Sequence, residues 1–381
     1  MSTLIVLSAL ILIVAILHDG FEVILLPRRV SRGLRLAGLF YMTSWPFWRT
    51  ATRLVRKPKS REVLLSWFGP ASVLGLFLLW AVGLIFGFAA IHTALKTPMN
   101  TPAAQVPEHG DYLYFSGVTF FTLGFGDISP TRPLGRMLAV GEAGLGFAFL
   151  AVIISYVPVF YQAFSAREIT ISLLDARAGS PPRASSLLTR IGSSRNFETL
   201  DRYLQEWERW SAQVLEGHLS FPLLSYYRSQ HDNQSWLSAI TMILDASTLV
   251  IAGVKDVDLH QAQLTFAMSR HAVVDIAQVF RVRPTNPASD RLPPEALTRL
   301  LGELRKAGFE VSDPGSVEAN LAELRQLYEP FVAGLSDYLL LPLPPIWAEA
   351  ASVDNWQTSA WMKRASGIGR LAQAVPDDHD D

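Results

Sequence analysis

The sequence contains no cysteine among its 381 residues, which excludes disulfides, thiolate nucleophiles and cysteine metal sites. Charged residues are also scarce: they make up 18% of the chain, whereas hydrophobic residues make up 50%. The net charge of −1 offers no basic surplus for a nucleic-acid partner. We find no nucleophile–base set and no metal-ligating cluster in the sequence, so it predicts no enzyme active site. The composition instead fits a membrane protein with a soluble part.

Two long stretches of the chain have almost no charge. Residues 63–91 are 29 residues without any charge, and residues 137–164 are 28 residues in which only Glu142 is charged. A transmembrane helix needs about 20 apolar residues. Each stretch therefore predicts one transmembrane helix.

A third apolar segment covers residues 1–26. It has no basic residue before its apolar core and Arg28 and Arg29 after it, which is the reverse of a cleaved secretory signal. We therefore predict an uncleaved transmembrane helix. Asp19 and Glu22 are expected near its cytoplasmic end, either paired with these arginines or solvated at the interface.

Residues 27–62 form a basic linker between the first two predicted spans. Ten lysines and arginines lie within residues 27–61, and no acidic residue does. The positive-inside rule places this linker in the cytoplasm, and with it the N-terminus outside and most of the chain inside. The linker also contains aromatic residues, so we expect part of it to lie on the inner leaflet; the alternative is a solvated connector.

A glycine-rich loop, Thr122–Asp127, lies between the two charge-poor stretches. Gly124 and Gly126 adopt positive φ at low cost, which allows successive peptide units to turn their carbonyls to one side. Together with the Thr122 hydroxyl, these carbonyls can replace the hydration shell of a monovalent cation. Asp127 would raise the local cation concentration at the outer mouth. One chain supplies only one wall, so a closed ring needs several copies; the alternative is an ordinary external turn.

This loop and the aromatic run before it resemble the potassium-channel pore-loop family. Residues 114–121 look like its pore helix, and residues 122–127 look like its selectivity filter. Leu123 and Phe125 stand where Val and Tyr are commonest in that family, and Val118 stands where some members carry a glutamate. The resemblance implies a homotetramer that binds K⁺ at the filter residues Thr122, Leu123, Gly124, Phe125, Gly126 and Asp127.

The resemblance also implies roles along the inner helix, residues 137–164. Gly146 falls near the hinge glycine of the family, and the alternative for it is close packing against the pore helix. Pro158 cannot donate a backbone hydrogen bond, so we expect it to kink the helix near its inner end. Gating and pore lining are assigned to Gly146, Phe147, Leu150, Ile154 and Pro158, with ordinary helix packing as the alternative for the lining face.

Three further residues are assigned to filter support: Tyr114, Phe115 and Glu142. Glu142 lies on a different helical face from Phe147, and ionisable groups inside a membrane are functional candidates. We expect Glu142 behind the filter, bonded to the pore-helix region. Structural bracing and a direct role in conduction are the two alternatives for it.

Residues 165–381 are predicted to form a mainly α-helical cytoplasmic domain, after a break at residues 180–183. Strand alternation is scarce, and no strand is followed by a G-x-G-x-x-G turn. The spacing of apolar residues predicts helices over residues 200–215, 236–244, 297–304 and 321–328. We expect the acidic tail, residues 377–381, to be disordered.

Two polar features of this domain are candidate sites. His218 and residues 226–236 are rich in hydrogen-bonding side chains and form either a ligand pocket or a buried polar network. His271 and Asp275 lie four residues apart and are interpreted as a local hydrogen-bonded pair, because two ligands make a poor metal site.

The sequence thus predicts an all-α membrane protein with three transmembrane helices, a re-entrant pore helix and filter loop, and a helical cytoplasmic domain. Its predicted parts are an N-terminal transmembrane helix (1–26), a basic cytoplasmic linker (27–62), a pore module (63–164) and a regulatory domain (165–381). We expect a potassium-selective channel of the cell membrane, with K⁺ as permeant ion and no cofactor. Expected partners are further copies of the chain, membrane lipids and an unidentified small-molecule ligand of the cytoplasmic domain. The alternatives are a weakly selective cation channel and a membrane-anchored enzyme or receptor with a vestigial pore.

Overall fold

The computed structural model describes residues 2–24, 35–102, 106–193, 197–229, 233–255, 257–287 and 289–349. Within them the chain is almost entirely α-helical, which confirms the predicted fold class. The helices are α1 (Ser2–Ile24), α2 (Leu36–Arg53), α3 (Pro58–Ala94), α4 (His109–Phe120), α5 (Pro133–Ala178), α6 (Ala184–Ser193), α7 (Phe197–Ser220), α8 (Trp236–Gly253), α9 (His260–Val279), α10 (Pro294–Lys306), α11 (Pro314–Gln326) and α12 (Glu329–Leu339). Two short strands, β1 (Met99–Asn100) and β2 (Ser129–Pro130), pair antiparallel.

Four of the described helices are long and apolar enough to cross a membrane: α1, α3, α5 and α8. The first three correspond to the three predicted spans. α8 differs from them, because 94% of its apolar window is buried by the protein itself. A helix that is apolar all round belongs either to a membrane or to the core of a large domain, and neighbouring helices of its own domain enclose α8.

The chain divides into two compact units, Met1–Gln162 and Ala163–Asp381. The division falls inside α5, which runs from one unit into the other without a break in its helix. The predicted pore module ends at residue 164, whereas the inner helix continues 14 residues beyond that point to Ala178. Pro158 lies within this continuous helix, and the kink expected there stays a prediction.

In the first unit, α1 packs antiparallel against α3. Ile13 of α1 lies against Gly87, and Ile16 lies against Gly83 one turn further along. A Cβ on Gly87 would lie 2.7 Å from Cγ1 of Ile13, and one on Gly83 would lie 2.5 Å from Cδ1 of Ile16. Small residues at such positions let two membrane helices approach closely.

Asp19 joins the C-terminal part of α1 to two other helices. Its carboxylate accepts hydrogen bonds of 2.9 Å from Nε1 of Trp80 and from the backbone N–H of Ala37. The side chain is buried, so the interfacial solvation considered as an alternative is wrong for it. The predicted partners Arg28 and Arg29 lie outside the described residues. A carboxylate stabilises the free N–H groups at the start of a helix, which explains why Asp19 binds the first turn of α2.

The predicted connector between the first two spans contains the 18-residue helix α2, and α3 begins at Pro58 rather than at residue 63. Aromatic side chains of α2 pack on α3. The Tyr41 hydroxyl donates to Oγ of Ser72 at 3.1 Å, and Nε1 of Trp48 donates to the carbonyl of Leu64 at 3.1 Å. Tyr41, Trp45 and Trp48 therefore form a packing face on α3, whereas Phe47 is exposed. The contact of this segment with the inner leaflet stays a prediction.

The second unit is built around α8. The side chain of Ser235 caps its first turn by accepting from the backbone N–H of Ser238 at 2.9 Å. Helices α7, α8, α10 and α11 cover the four regions where helices were predicted, although residues 327–328 lie between α11 and α12 rather than in a helix. The acidic tail lies outside the described residues. Helices α6, α9 and α12 were not predicted.

A buried ion cluster ties the end of this unit to α8. Arg291 donates from Nη1 to Asp245 of α8 at 3.1 Å and to Glu329 of α12 at 3.2 Å. Nη2 of Arg291 also donates to Asp245 and to the carbonyl of Pro344, the latter at 2.8 Å. The Tyr328 hydroxyl donates to the same Asp245 carboxylate at 2.6 Å. One guanidinium therefore compensates the buried charge of α8.

We predict that Arg291→Met destabilises the second unit by about 3–5 kcal/mol, the usual cost of leaving one partner of a buried ion pair alone. The matched control is Arg299→Met, because Arg299 pairs with Glu349 at 3.1 Å in an exposed position. Exposed pairs contribute about 0–1 kcal/mol. Amide hydrogen exchange of α8 in the full-length protein measures both effects, and equal α8 protection in the two variants would contradict the assignment.

Candidate functional site

The candidate pore helix is α4, which is fixed to the helix before it. Glu108 and Asp111 form a reciprocal capping box at its start. The Ser116 hydroxyl donates to the carbonyl of Ile85 in α3 at 2.9 Å. The Tyr112 hydroxyl donates to the carbonyl of Thr97 at 3.0 Å. These bonds fix the first turn and the middle of α4 to α3 and to the connection that follows α3.

The loop after α4 has a repeating backbone conformation. Positive φ occurs at every second residue: 56° at Thr122, 57° at Gly124 and 80° at Gly126. When left-handed and right-handed residues alternate, successive carbonyls turn to the same side of the chain. Glycine adopts positive φ without a Cβ penalty, whereas Thr122 adopts it at a cost.

Backbone hydrogen bonds attach the start of this loop to the end of α4. The N–H of Thr122 donates to the carbonyl of Thr119 at 3.0 Å, and the N–H of Leu123 donates to the carbonyl of Val118 at 2.9 Å. The side chains of Leu123 and Phe125 are 58% and 67% exposed in the single chain. The loop is therefore anchored at its base, while the described residues cover less than half of its large apolar side chains.

At the other end of the loop, the Tyr114 hydroxyl donates to Oδ2 of Asp127 at 2.9 Å. This bond links the assigned support residue on α4 to the last residue of the loop. Phe115, the second assigned support residue, is buried with its ring 5.4 Å from the ring of His92 in an edge-to-face arrangement. The pairing of β1 with β2 joins the connection before α4 to the connection after the loop.

Glu142 contacts the candidate pore helix α4, the region to which we expected it to bond; its position behind the filter stays a prediction. Ser116 donates a hydrogen bond to Oε1 of Glu142, and the side chain of Glu142 is fully buried. Ser116 was not singled out from the sequence. The signal that pointed to such a partner was the buried carboxyl itself, since a carboxyl inside a membrane needs a hydrogen-bond donor.

Gly146 touches the end of the pore helix. A Cβ on Gly146 would lie 1.8 Å from the carbonyl oxygen of Phe120, which no side chain can tolerate. Gly141 and Gly144 have no atom of the described chain within 4 Å of such a Cβ. The geometry therefore favours close packing for Gly146, the alternative to the hinge role, and leaves the hinge role untested.

The assigned lining face of α5 is uncovered in the single chain. Phe147 and Ile154 are 69% and 71% exposed, Leu150 is half-buried, and Pro158 is exposed on the same helix. Only 11% of the apolar window of α5 is buried, against 56% for α3. This face must meet lipid, water or other copies of the chain.

The polar run in the second unit forms a buried network. His218 is buried, with Nδ1 2.7 Å from the carbonyl of Val214 and its ring 4.6 Å from that of Trp236. Burial, followed by the charge of Arg167, lowers the pKa of His218 to about 3, so His218 is neutral near neutral pH. Residues 230–232 of the run lie outside the described residues. The geometry of the remainder supports the buried-network alternative over a ligand pocket.

His271 and Asp275 of α9 lie close together, with Nε2 3.5 Å from Oδ2. Among the residues that the structure describes, no group of three His, Cys, Asp or Glu side chains could hold a metal ion. The interpretation as a local pair therefore fits the geometry.

Residues 76–163 match the profile of a protein family described as "Ion channel". The chain is 22% identical over 245 residues to the uncharacterized membrane protein YdjJ of Bacillus subtilis (strain 168), which covers 63% of this chain and 69% of YdjJ. It is 31% identical over 93 residues to protein LctB of Geobacillus stearothermophilus, covering 24% of this chain and 66% of LctB.

A rice protein, two pore potassium channel c of Oryza sativa subsp. japonica, is 35% identical over 88 residues, which is 23% of this chain and 19% of that protein. The matched regions thus cover less than two thirds of the length of LctB and of the rice channel. For YdjJ, the match covers 69% of its length. No solved structure matches the chain. The similarity to YdjJ extends well beyond the family match at residues 76–163.

We predict that Gly146→Ala disrupts the first unit, because the added methyl group collides with the backbone carbonyl of Phe120 rather than with a movable side chain. Gly141→Ala on the same helix is the control, since it meets no atom of its own chain. Thermal stability of the purified protein in detergent, followed by size-exclusion chromatography, compares the two variants. A Gly146→Ala protein as stable as Gly141→Ala would show that the close approach is not required.

Proposed function

We propose, from the membership of residues 76–163 in the pore-loop ion-channel family, that this membrane protein is a potassium-selective channel with its selectivity filter at Thr122–Asp127. The observation that carries the proposal is the positive φ at every second residue of this loop. A row of carbonyls facing one side can replace the water that a potassium ion loses on entry. Transport is passive, K⁺ is the permeant ion, and no reaction is catalysed.

The proposed assembly is a homotetramer. One loop offers carbonyls on one side of an ion only, so rotational symmetry must supply the remaining walls. The exposed side chains of Leu123 and Phe125 give the loop an apolar surface that neighbouring copies would cover. The uncovered face of α5 around Phe147 and Ile154 would then line the cavity below the filter or contact the next copy.

Two rivals remain distinct from this proposal. A weakly selective cation channel would have the same loop in a less rigid ring. A membrane-anchored receptor would retain the pore module as a scaffold without conduction. Potassium selectivity is favoured by the rice relative, whose name includes potassium and which shares 35% identity over 88 residues.

We propose a cell-membrane topology with the N-terminus outside and the second unit in the cytoplasm. Antiparallel packing of α1 on α3 puts Ser2 at the same end of the unit as Thr101, and Ser60 at the opposite end. The basic residues before α3 favour the cytoplasm for that opposite end. Membrane lipids are expected to surround the spans. We also propose a small-molecule ligand for the second unit and no nucleic-acid partner.

Gly124→Ala should abolish potassium flux into liposomes, because a Cβ penalises the positive φ of 57° that the carbonyl row requires. Gly110→Ala is the control: Gly110 lies in the first turn of α4, and a Cβ there meets nothing within 4 Å. Membrane insertion of both variants should equal that of the wild type. Potassium-selective flux through Gly124→Ala at the wild-type rate would sink the filter assignment.

Cysteines introduced one at a time test the topology against a clean background, since the chain has none of its own. Ser2→Cys and Thr101→Cys should react with a membrane-impermeant thiol reagent applied to intact cells. Ser60→Cys should react only after the cells are opened. Labelling of Ser60→Cys from outside would overturn the proposed orientation.

A further inference from the structure

The polar run that the sequence analysis singled out lies next to the cytoplasmic end of α5. Between His218 and the start of residues 226–236 lies a 3-10 turn, Pro222–Tyr226, and residues 227–229 follow it without regular secondary structure. We name residues 221–229 the linking turn. It begins directly after α7 and contacts two elements that are far apart in the sequence, the last part of α5 and the end of α12.

Arg167 attaches α5 to this turn. Its Nη1 donates to the carbonyl of Leu224 and its Nη2 to the carbonyl of Tyr227, both at 2.8 Å. The guanidinium is buried and pairs with Glu168, with 2.9 Å between Nε and Oε1. It also lies 5.2 Å from the ring centroid of Phe164. A planar fork that reaches two carbonyls at once is a geometry that arginine provides and lysine does not.

The backbone of Arg167 is hydrogen-bonded as well as its side chain. Its carbonyl accepts a hydrogen bond from Nε1 of the buried Trp210 in α7 at 3.2 Å. The rings of Phe164 in α5 and Tyr227 in the linking turn also pack together, with their centroids 5.6 Å apart. Arg167 is therefore bonded through both its side chain and its backbone to other elements of the second unit.

Arg228 attaches the opposite side of the linking turn to the end of α12. Its Nη2 donates to the carbonyls of Leu339 and Leu340, at 3.1 and 3.0 Å. The hydroxyls of Tyr226 and Tyr338 lie 3.0 Å apart. Leu340 has a positive φ of 56°, which ends α12 in a strained left-handed residue.

Buried polar atoms around the turn lack hydrogen bonds within the described residues. They are Nε2 of His218 and the hydroxyls of Ser225 and Ser229. Buried polar groups normally have hydrogen-bond partners, so each of these exceptions calls for a physical explanation. The turn is thus hydrogen-bonded to Arg167 and through Arg228, whereas buried polar atoms near it have no hydrogen-bond partner among the described residues.

We propose that Arg167 and Arg228 are positioning residues of one coupling element, in which the linking turn transmits rearrangements at the end of α12 to the inner helix α5. This inference rests on the proposed channel function, since it concerns how opening is controlled. α5 is one continuous helix from Pro133 to Ala178, so a displacement of its end at Arg167 acts on the same helix that carries the proposed gate. Regulation then requires two positions of the turn that differ in their contacts with these two arginines.

The test is single-channel recording of full-length protein in planar bilayers containing potassium. The variants are Arg167→Met, Arg228→Met and the double variant, and the control is Arg305→Met, an exposed arginine of α10. We expect each single variant to change the open probability in the same direction, by about 5- to 150-fold, with the conductance of the open channel unchanged. The double variant should match a single variant, because two residues on one path act non-additively.

The control separates this effect from the general loss of one positive charge, so its open probability should equal that of the wild type. Wild-type open probability in Arg167→Met, or strictly additive effects in the double variant, would overturn the coupling element and leave the proposed channel intact. Should Arg167→Met fail to fold, Arg228→Met alone decides, and an unchanged open probability in it refutes the inference. A wild-type protein without any potassium current would refute the channel function and this inference with it.

Discussion

A polar loop between two apolar helices imposes the constraint on which the first unit depends. Backbone N–H and C=O groups at membrane depth must be paired or must line water, because lipid offers them no partner. The loop meets part of this demand by returning the N–H groups of Thr122 and Leu123 to the end of α4. Its carbonyls then become the groups that need a partner, which in the proposed channel is a potassium ion. The Ser116–Glu142 hydrogen bond and the close approach of Gly146 to Phe120 fix α4, which carries the loop, to α5.

The sequence was sufficient for the spans and for the loop. A charge-free stretch long enough to cross a bilayer is itself the signal of a transmembrane helix, and alternating glycines indicate positive φ. It was insufficient for contacts between segments distant in the chain. The sequence does not distinguish an Asp19 that pairs with an arginine from one that caps a helix. Only the fold shows that Asp19 accepts a hydrogen bond from the first turn of α2. The packing of Trp45 and Trp48 of α2 on α3 likewise appears only in the fold.

In the second unit, the helices with strong contrast between apolar and charged faces were predictable, as α10 was from its leucine spacing. α9 was missed because its buried face includes the small polar residues Thr265 and Ser269, which weaken the apolar period. α8 presents the opposite difficulty, since its uniform hydropathy is that of a membrane span and its burial among neighbours appears only in the fold. The polar run near His218 was visible in the sequence, but its link from Arg167 to α12 depends on tertiary contacts.

The most direct test of the central claim is the reversal potential of the wild-type channel with potassium on one side of a bilayer and sodium on the other. A filter in which carbonyls replace the hydration shell of potassium predicts a reversal potential displaced strongly towards the potassium equilibrium potential. A reversal potential near zero would contradict potassium selectivity and identify a weakly selective cation pore. Absence of current from correctly inserted protein would contradict conduction itself.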